Sequence, residues 1–96
     1  MRVSGHSMTG AGILHGDLVV VDRSVEPVPG HVVVAVVAGE MTIKRLRRTK
    51  GGRTLLLAEH PDYPPVAVAE GGEDGDGDGA AVEIWGVVIG VARRTV

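Results

Sequence analysis

The 96-residue sequence contains no cysteine and no phenylalanine, and its only aromatic side chains are Tyr63 and Trp85. Without cysteine, neither a disulfide framework nor a thiolate metal centre can form. Without aromatics, the core has to come from Val, Ile and Leu, and the wealth of Val favours strands over helices. No apolar run is long enough for a transmembrane helix and no signal-peptide pattern is present, so a cytoplasmic chain with no membrane partner is expected. No amphipathic helix of useful length can be traced, which excludes a helix-turn-helix reader. The formal net charge of -2 argues against general affinity for nucleic acid. One small domain, residues 1–96, is expected around a single modest core.

What the sequence does contain is a series of short apolar runs separated by turn signals. Leu18-Val19-Val20-Val21-Asp22 follows the tight turn His15-Gly16-Asp17 and reads as a buried strand. His31 to Val37 is a second, continuous apolar strand, and Glu40 to Arg47 a third that alternates. Between them lies the hairpin connection Ala38-Gly39, where Gly39 is expected to take the left-handed position because alanine resists positive φ. A further turn at Lys50-Gly51-Gly52 leads to a strand over Arg53 to Ala58, and Val66 to Ala69 reads as a short edge strand. Val82 to Ala92 is a long closing strand containing Trp85, and is the candidate surface for a homodimer. Thr9-Gly10-Ala11-Gly12 reads as a flexible, turn-prone loop.

Three charged features invite a function and are better read otherwise. The stretch 71–79 is acidic and glycine-rich and reads as a mobile loop. Its Asp74-Gly75-Asp76-Gly77-Asp78-Gly79 opens like a calcium loop, but the twelfth residue is Trp85 rather than glutamate and the flanks are strands. The histidines His6, His15, His31 and His60 show no ligand spacing and read as surface or turn residues, so no metal and no cofactor is expected. Arg45, Arg47, Arg48, Lys50 and Arg53 form a basic cluster that reads as a solvated hairpin end.

The residues with chemical potential are Ser7, within Ser4-Gly5-His6-Ser7-Met8, and Lys44, within Thr42-Ile43-Lys44-Arg45-Leu46. A serine hydroxyl is a poor nucleophile until a base takes its proton, and a lysine amine serves only where its surroundings keep it neutral. Period two places Thr42, Lys44 and Leu46 on one strand face, with Met41, Ile43 and Arg45 on the other, which is compatible with a partly buried amine. Gly5 keeps side-chain bulk away from the nucleophile. The backbone N–H groups of His6 and Ser7 are candidates for an oxyanion hole.

Ser7-Met8, Gly12-Ile13, Gly16-Asp17 with the strand after it, Ala38-Gly39-Glu40, Thr42 to Leu46, His60 to Pro65 and Ile84 to Ile89 together resemble the peptidase domain of the LexA/UmuD family, most nearly its UmuD branch. The resemblance covers essentially the whole chain. It implies a mainly β, twisted and partly closed domain with little helix. It further implies a Ser7–Lys44 dyad, a homodimer, cleavage of an Ala-Gly bond in an N-terminal arm under a RecA-type filament, and accessory service to a Y-family translesion polymerase without sequence-specific DNA binding. A LexA-type repressor effector domain or a soluble signal-peptidase-like protease is the alternative. The arm is absent from this sequence, and neither Ala11-Gly12 nor Ala38-Gly39 replaces its scissile bond, so self-cleavage of this polypeptide is not expected. His6 stands where the UmuD branch tends to be acidic, and 71–79 reads as an insertion.

Overall fold

In the computed structural model, which describes residues 1–68 and 82–93, the chain forms strands β1 (Leu18–Asp22), β2 (Val32–Val37), β3 (Glu40–Arg48), β4 (Thr54–Leu57), β5 (Val66–Ala67) and β6 (Val82–Ala92). They make one six-stranded antiparallel sheet in the order β1-β6-β2-β3-β4-β5. The helical structure among the described residues is a 3₁₀ turn, η1 (Thr9–Ala11), where the sequence reads only as flexible loop. Its terminal residue Gly12 closes it in the left-handed region, with its N–H donating to the Thr9 carbonyl. The mainly β architecture is as expected. The acidic stretch 71–79, the calcium-loop-like run within it and residue 69 of the expected edge strand lie outside the described residues.

The continuous apolar character of β2 follows from burial on both faces. Val34 packs with Val3, Met8, Ile13, Val19 and Ile43 in one core cluster. Val33 and Ala35 pack on the other face with Leu46, Leu56 and Val87. Strand β3 also contributes to both clusters, Ile43 on one side and Leu46 on the other, with polar and charged residues at most of its remaining positions. Leu56 is completely buried, and its truncation to alanine is expected to cost ~2–5 kcal/mol.

Strand β6 is long because it serves two neighbours. Its first half, from Val82 to Val87, pairs with β2, and its second half, from Val87 to Ala92, pairs with β1. The register slips once along each ladder, leaving Trp85 and Ile89 as the extra residues of two bulges, which sharpen the local twist. Arg23 caps the Trp85 ring, its guanidinium carbon 4.3 Å from the ring centroid, while its Nε donates to the Trp85 carbonyl at 2.9 Å. Strand β6, expected as the candidate surface for a homodimer, lies inside the sheet, so what it can offer a second copy is side chain and not a free edge. Strand β1 is outermost on that side, and the N-terminus covers it through an Arg2–Leu18 bridge and a Val19 N–H donated to the Met1 carbonyl. What the β1–β6 ribbon exposes is apolar side chain: Leu18, Val20, Ile89 and Val91.

The β2–β3 hairpin also departs from expectation. Ala38 has φ +50° and Gly39 φ +85°, so both central residues are left-handed. A two-residue connection between right-twisted strands needs that pattern, and the ladder from Val37–Glu40 inward holds alanine in it. Ala38→Asn is therefore expected to raise stability by about 1 kcal/mol, measured by urea denaturation.

Candidate active site

Strand β4 pairs with β3 only from Arg45 to Arg48. Over Glu40 to Lys44, β3 has β2 on one side and, among the described residues, an unpaired backbone edge on the other. Lys44 pairs with Val33 and shares the face of that cluster, whereas Met8, next to Ser7, packs into the opposite one. The two side chains therefore meet around the open edge. Lys44 Nζ donates to Ser7 Oγ at 2.8 Å and to Thr42 Oγ1 at 3.0 Å. Lys44 is 8% exposed, and among the described residues no carboxylate pairs with it. Burial disfavours its ammonium form and lowers its pKa from the ordinary lysine value. The Tyr63 ring lies 5.8 Å from Nζ and carries His60 edge-on at 5.0 Å.

Local turn structure presents Ser7. The His6 carbonyl accepts from Thr9 N–H at 3.2 Å, and the Met8 carbonyl accepts from Ala11 and Ile13 at 3.0 and 3.2 Å. Met8 is buried and pins the turn to the core. A Cβ at Gly5 would touch nothing, so its need for glycine comes from φ +96° rather than from crowding. His6 and His15, far apart in the sequence pattern, lie with ring centroids 5.6 Å apart, and His15 Nδ1 accepts from Gly5 N–H at 3.0 Å. His31 and His60 are turn acceptors in the same manner, for Val28 and Asp62.

Two hollows flank the dyad. One, of about 140 Å³, is walled by Gly5, Ser7, Met8, Met41 and Ile43. The other, of about 330 Å³ and more open, is walled by Val37, Glu40, Met41, Lys44 and Val66. Met41, half-exposed, stands between them and was not singled out by its sequence context. Thr42 was legible only as a face-mate of Lys44. Arg45 leaves the basic cluster altogether: its Nε donates to Glu59 Oε1 at 2.5 Å and its Nη1 to the Gly30 carbonyl at 2.8 Å.

The far end of the Ser7 loop is tied down by Asp17. Its carboxylate accepts from Leu14 N–H at 2.8 Å and from Arg93 Nε and Nη2 at 2.8 and 2.6 Å, while Arg93 Nη2 also donates to the Gly12 carbonyl at 2.7 Å. No sequence pattern announces a contact between residues 76 apart.

This arrangement belongs to a known lineage, since residues 1–89 match the Peptidase S24-like family. The chain is a member of that family. The LexA repressor of Paracidovorax citrulli (strain AAC00-1) is 41% identical over 96 residues, covering 100% of this chain and 39% of that protein. The LexA repressor of Bordetella parapertussis (strain 12822) is 43% identical over 93 residues, 97% of this chain and 39% of that protein. That of Azoarcus sp. (strain BH72) is 43% identical over 93 residues, 97% of this chain and 42% of that protein. The chain thus spans about two-fifths of the length of these relatives. Within the S24-like family, their names favour the repressor alternative over the UmuD branch.

The Asp17 latch sets an acid limit. Hydrogen bonds from Arg93 and then Leu14 lower the Asp17 pKa from 3.8 to about 2. A depressed carboxylate stabilises the fold above its unfolded value and loses that contribution as pH falls through the folded one. Thermal midpoints are expected to drop between pH 4 and pH 2, within the interval from 3.8 to about 2, and Asp17→Asn is expected to flatten that slope while lowering the neutral-pH midpoint.

Proposed function

We propose that the chain is the peptidase domain of a LexA-type repressor, a serine peptidase with Ser7 as nucleophile and Lys44 as general base. The observation that carries this reading is the 2.8 Å contact between Ser7 Oγ and a buried lysine amine that has no carboxylate partner among the described residues. As drawn, the ammonium donates to the hydroxyl. Once the amine is neutral the bond reverses, and Nζ accepts the Ser7 proton as Oγ attacks the scissile carbonyl carbon. Backbone N–H groups of His6 and Ser7 hold the oxyanion, Lys44 passes its proton to the leaving amine, and water then hydrolyses the acyl-serine with Lys44 again as base. The substrate is an extended arm laid along the unpaired edge from Glu40 to Lys44, gaining backbone hydrogen bonds as an added strand. The 140 Å³ hollow beside Ser7 suits a small residue such as the alanine of an Ala-Gly bond.

The relatives' names support a repressor role over accessory service to a translesion polymerase. That role carries with it a cytoplasmic setting and activation by a RecA-type filament. Among the described residues no helix is long and apolar enough to cross a membrane, a fact that bears on helices alone. A homodimer is the assembly we infer, formed through the β1–β6 ribbon, which exposes Leu18, Val20, Ile89 and Val91. Sedimentation is expected to show dimer at micromolar concentration and monomer for Ile89→Lys; wild-type protein running as monomer throughout defeats this assembly.

Cleavage in trans of a synthetic arm peptide tests the chemistry. The rate is expected to rise with pH through the lowered Lys44 pKa and then level off, since only the neutral amine is a base. Ser7→Ala and Lys44→Ala are each expected to lower turnover by at least ~10³-fold. Lys44→Arg does not rescue it, because guanidinium stays protonated. Turnover that survives Ser7→Ala excludes the dyad.

A further inference from the structure

We propose that Glu59 is a positioning residue that clamps the Ser7 loop to the strand carrying Lys44 and so sets the distance between the two. The proposal rests on the Ser7–Lys44 reading and extends it to a residue that touches neither substrate nor the reacting atoms. Glu59 lies just past β4, where the chain has left the sheet and no ladder fixes its place. Its side chain and its backbone face two different partners. The carboxylate accepts from Arg45 Nε at 2.5 Å, and Arg45 directly follows Lys44 on β3. Its backbone carbonyl accepts from Gly10 N–H at 2.7 Å, and Gly10 lies in η1, three residues after Ser7. The path Ser7–Gly10···Glu59···Arg45–Lys44 therefore forms a ring that the 2.8 Å dyad contact closes.

Two independent features mark the clamp as built for close approach. A Cβ at Gly10 would fall 2.5 Å from the Glu59 carbonyl oxygen, nearer than backbone atoms tolerate, so the contact exists only because residue 10 is glycine. Arg45 is also held from behind, its Nη1 donating to the Gly30 carbonyl at 2.8 Å, which fixes the guanidinium before Glu59 reaches it. Both partners are largely shielded, with side chains 24% and 33% exposed, a setting in which a charged hydrogen bond is directional. The other anchor of the loop, Asp17 with Arg93, ties it to the end of β6 and has no connection to β3. Beside the Ser7–Lys44 contact itself and the packing of Met8 and Ile13 with Ile43, Glu59 is, among the described residues, the hydrogen-bonded link between the loop and the strand of Lys44.

The test uses the full chain in three variants: Glu59→Ala, Glu59→Gln and Gly10→Ala. Arm-peptide cleavage gives kcat and KM separately. The sequence holds two lysines, so ¹³C-lysine NMR follows Lys44 against Lys50 as an internal reference without any need for activity. Glu59→Ala and Gly10→Ala are expected to lower kcat on the order of 10²-fold with KM within about twofold, as displacement of a reacting group does. Their Lys44 titration is expected to move up toward the ordinary lysine value. Glu59→Gln still accepts from Arg45 and is expected to keep kcat within about threefold of wild type. Should Glu59→Ala fail to fold, Gly10→Ala breaks the other contact of the clamp, that to the Glu59 backbone carbonyl, with the ion pair to Arg45 intact. Folded Glu59→Ala or Gly10→Ala protein with wild-type kcat and an unmoved Lys44 titration overturns the clamp, as does a change in KM alone. Wild-type protein that neither cleaves nor shows a Lys44 titration below the ordinary lysine value overturns the Ser–Lys reading itself.

Discussion

A lysine amine held out of water against a serine hydroxyl is the constraint to which the rest of the fold answers. At 8% exposure, with no carboxylate partner among the described residues, Lys44 keeps its charge only at a desolvation cost. The sheet imposes that burial by leaving β4 short. Had β4 continued past Arg45, a paired backbone would occupy the edge where Ser7 reaches Lys44. Had the N-terminal loop not folded over the opposite face through Met8 and Ile13, the amine would stand in water at a sheet edge. The open edge thus brings the dyad together and leaves a backbone ladder for an incoming chain.

Much of this was legible in the sequence where a local period carried it. The alternation of β3 put Thr42, Lys44 and Leu46 on one face, and the structure keeps them there. The continuous apolar run of β2 read as a strand, and in the fold Val33 and Val34 are buried on its two sides, in different clusters. The length of β6 was visible, but its place inside the sheet was not, because strand order is a property of pairing partners and not of the strand's own residues. The same reason hid Arg93 from Asp17 and Glu59 from Arg45. Arg45 looked like one of five solvated cations since its sequence neighbours are basic, yet period two turns it away from Lys44 and toward Glu59. Ala38 was misjudged because its intrinsic dislike of positive φ is smaller than what the two flanking strands gain by keeping register. The motifs around Ser7 and Lys44 pointed to the family without separating its branches; the names of relatives similar along nearly the whole chain favour the repressor branch.

Four influences act on the Lys44 amine, and they do not agree in sign. The Ser7 and Thr42 hydroxyls accept from it, and the Tyr63 ring lies 5.8 Å away; all three favour the ammonium. Burial favours the neutral amine. Hydroxyl acceptors replace only part of the water an ammonium loses, and a cation–π contact to a ring as exposed as Tyr63 is worth ~0.5–1 kcal/mol, so burial prevails and the pKa falls. The sign then links chemistry to stability. The unfolded chain holds a proton on Lys44 up to about the ordinary lysine value of 10.5, while the folded chain releases it earlier, so stability rises with pH across that interval. The pH change that arms the base therefore also strengthens the fold that buries it. A carboxylate beside Nζ would remove this coupling by stabilising the ammonium, at the expense of the base. Its absence from the described surroundings of Lys44 is what a salt bridge placed purely for stability would not explain.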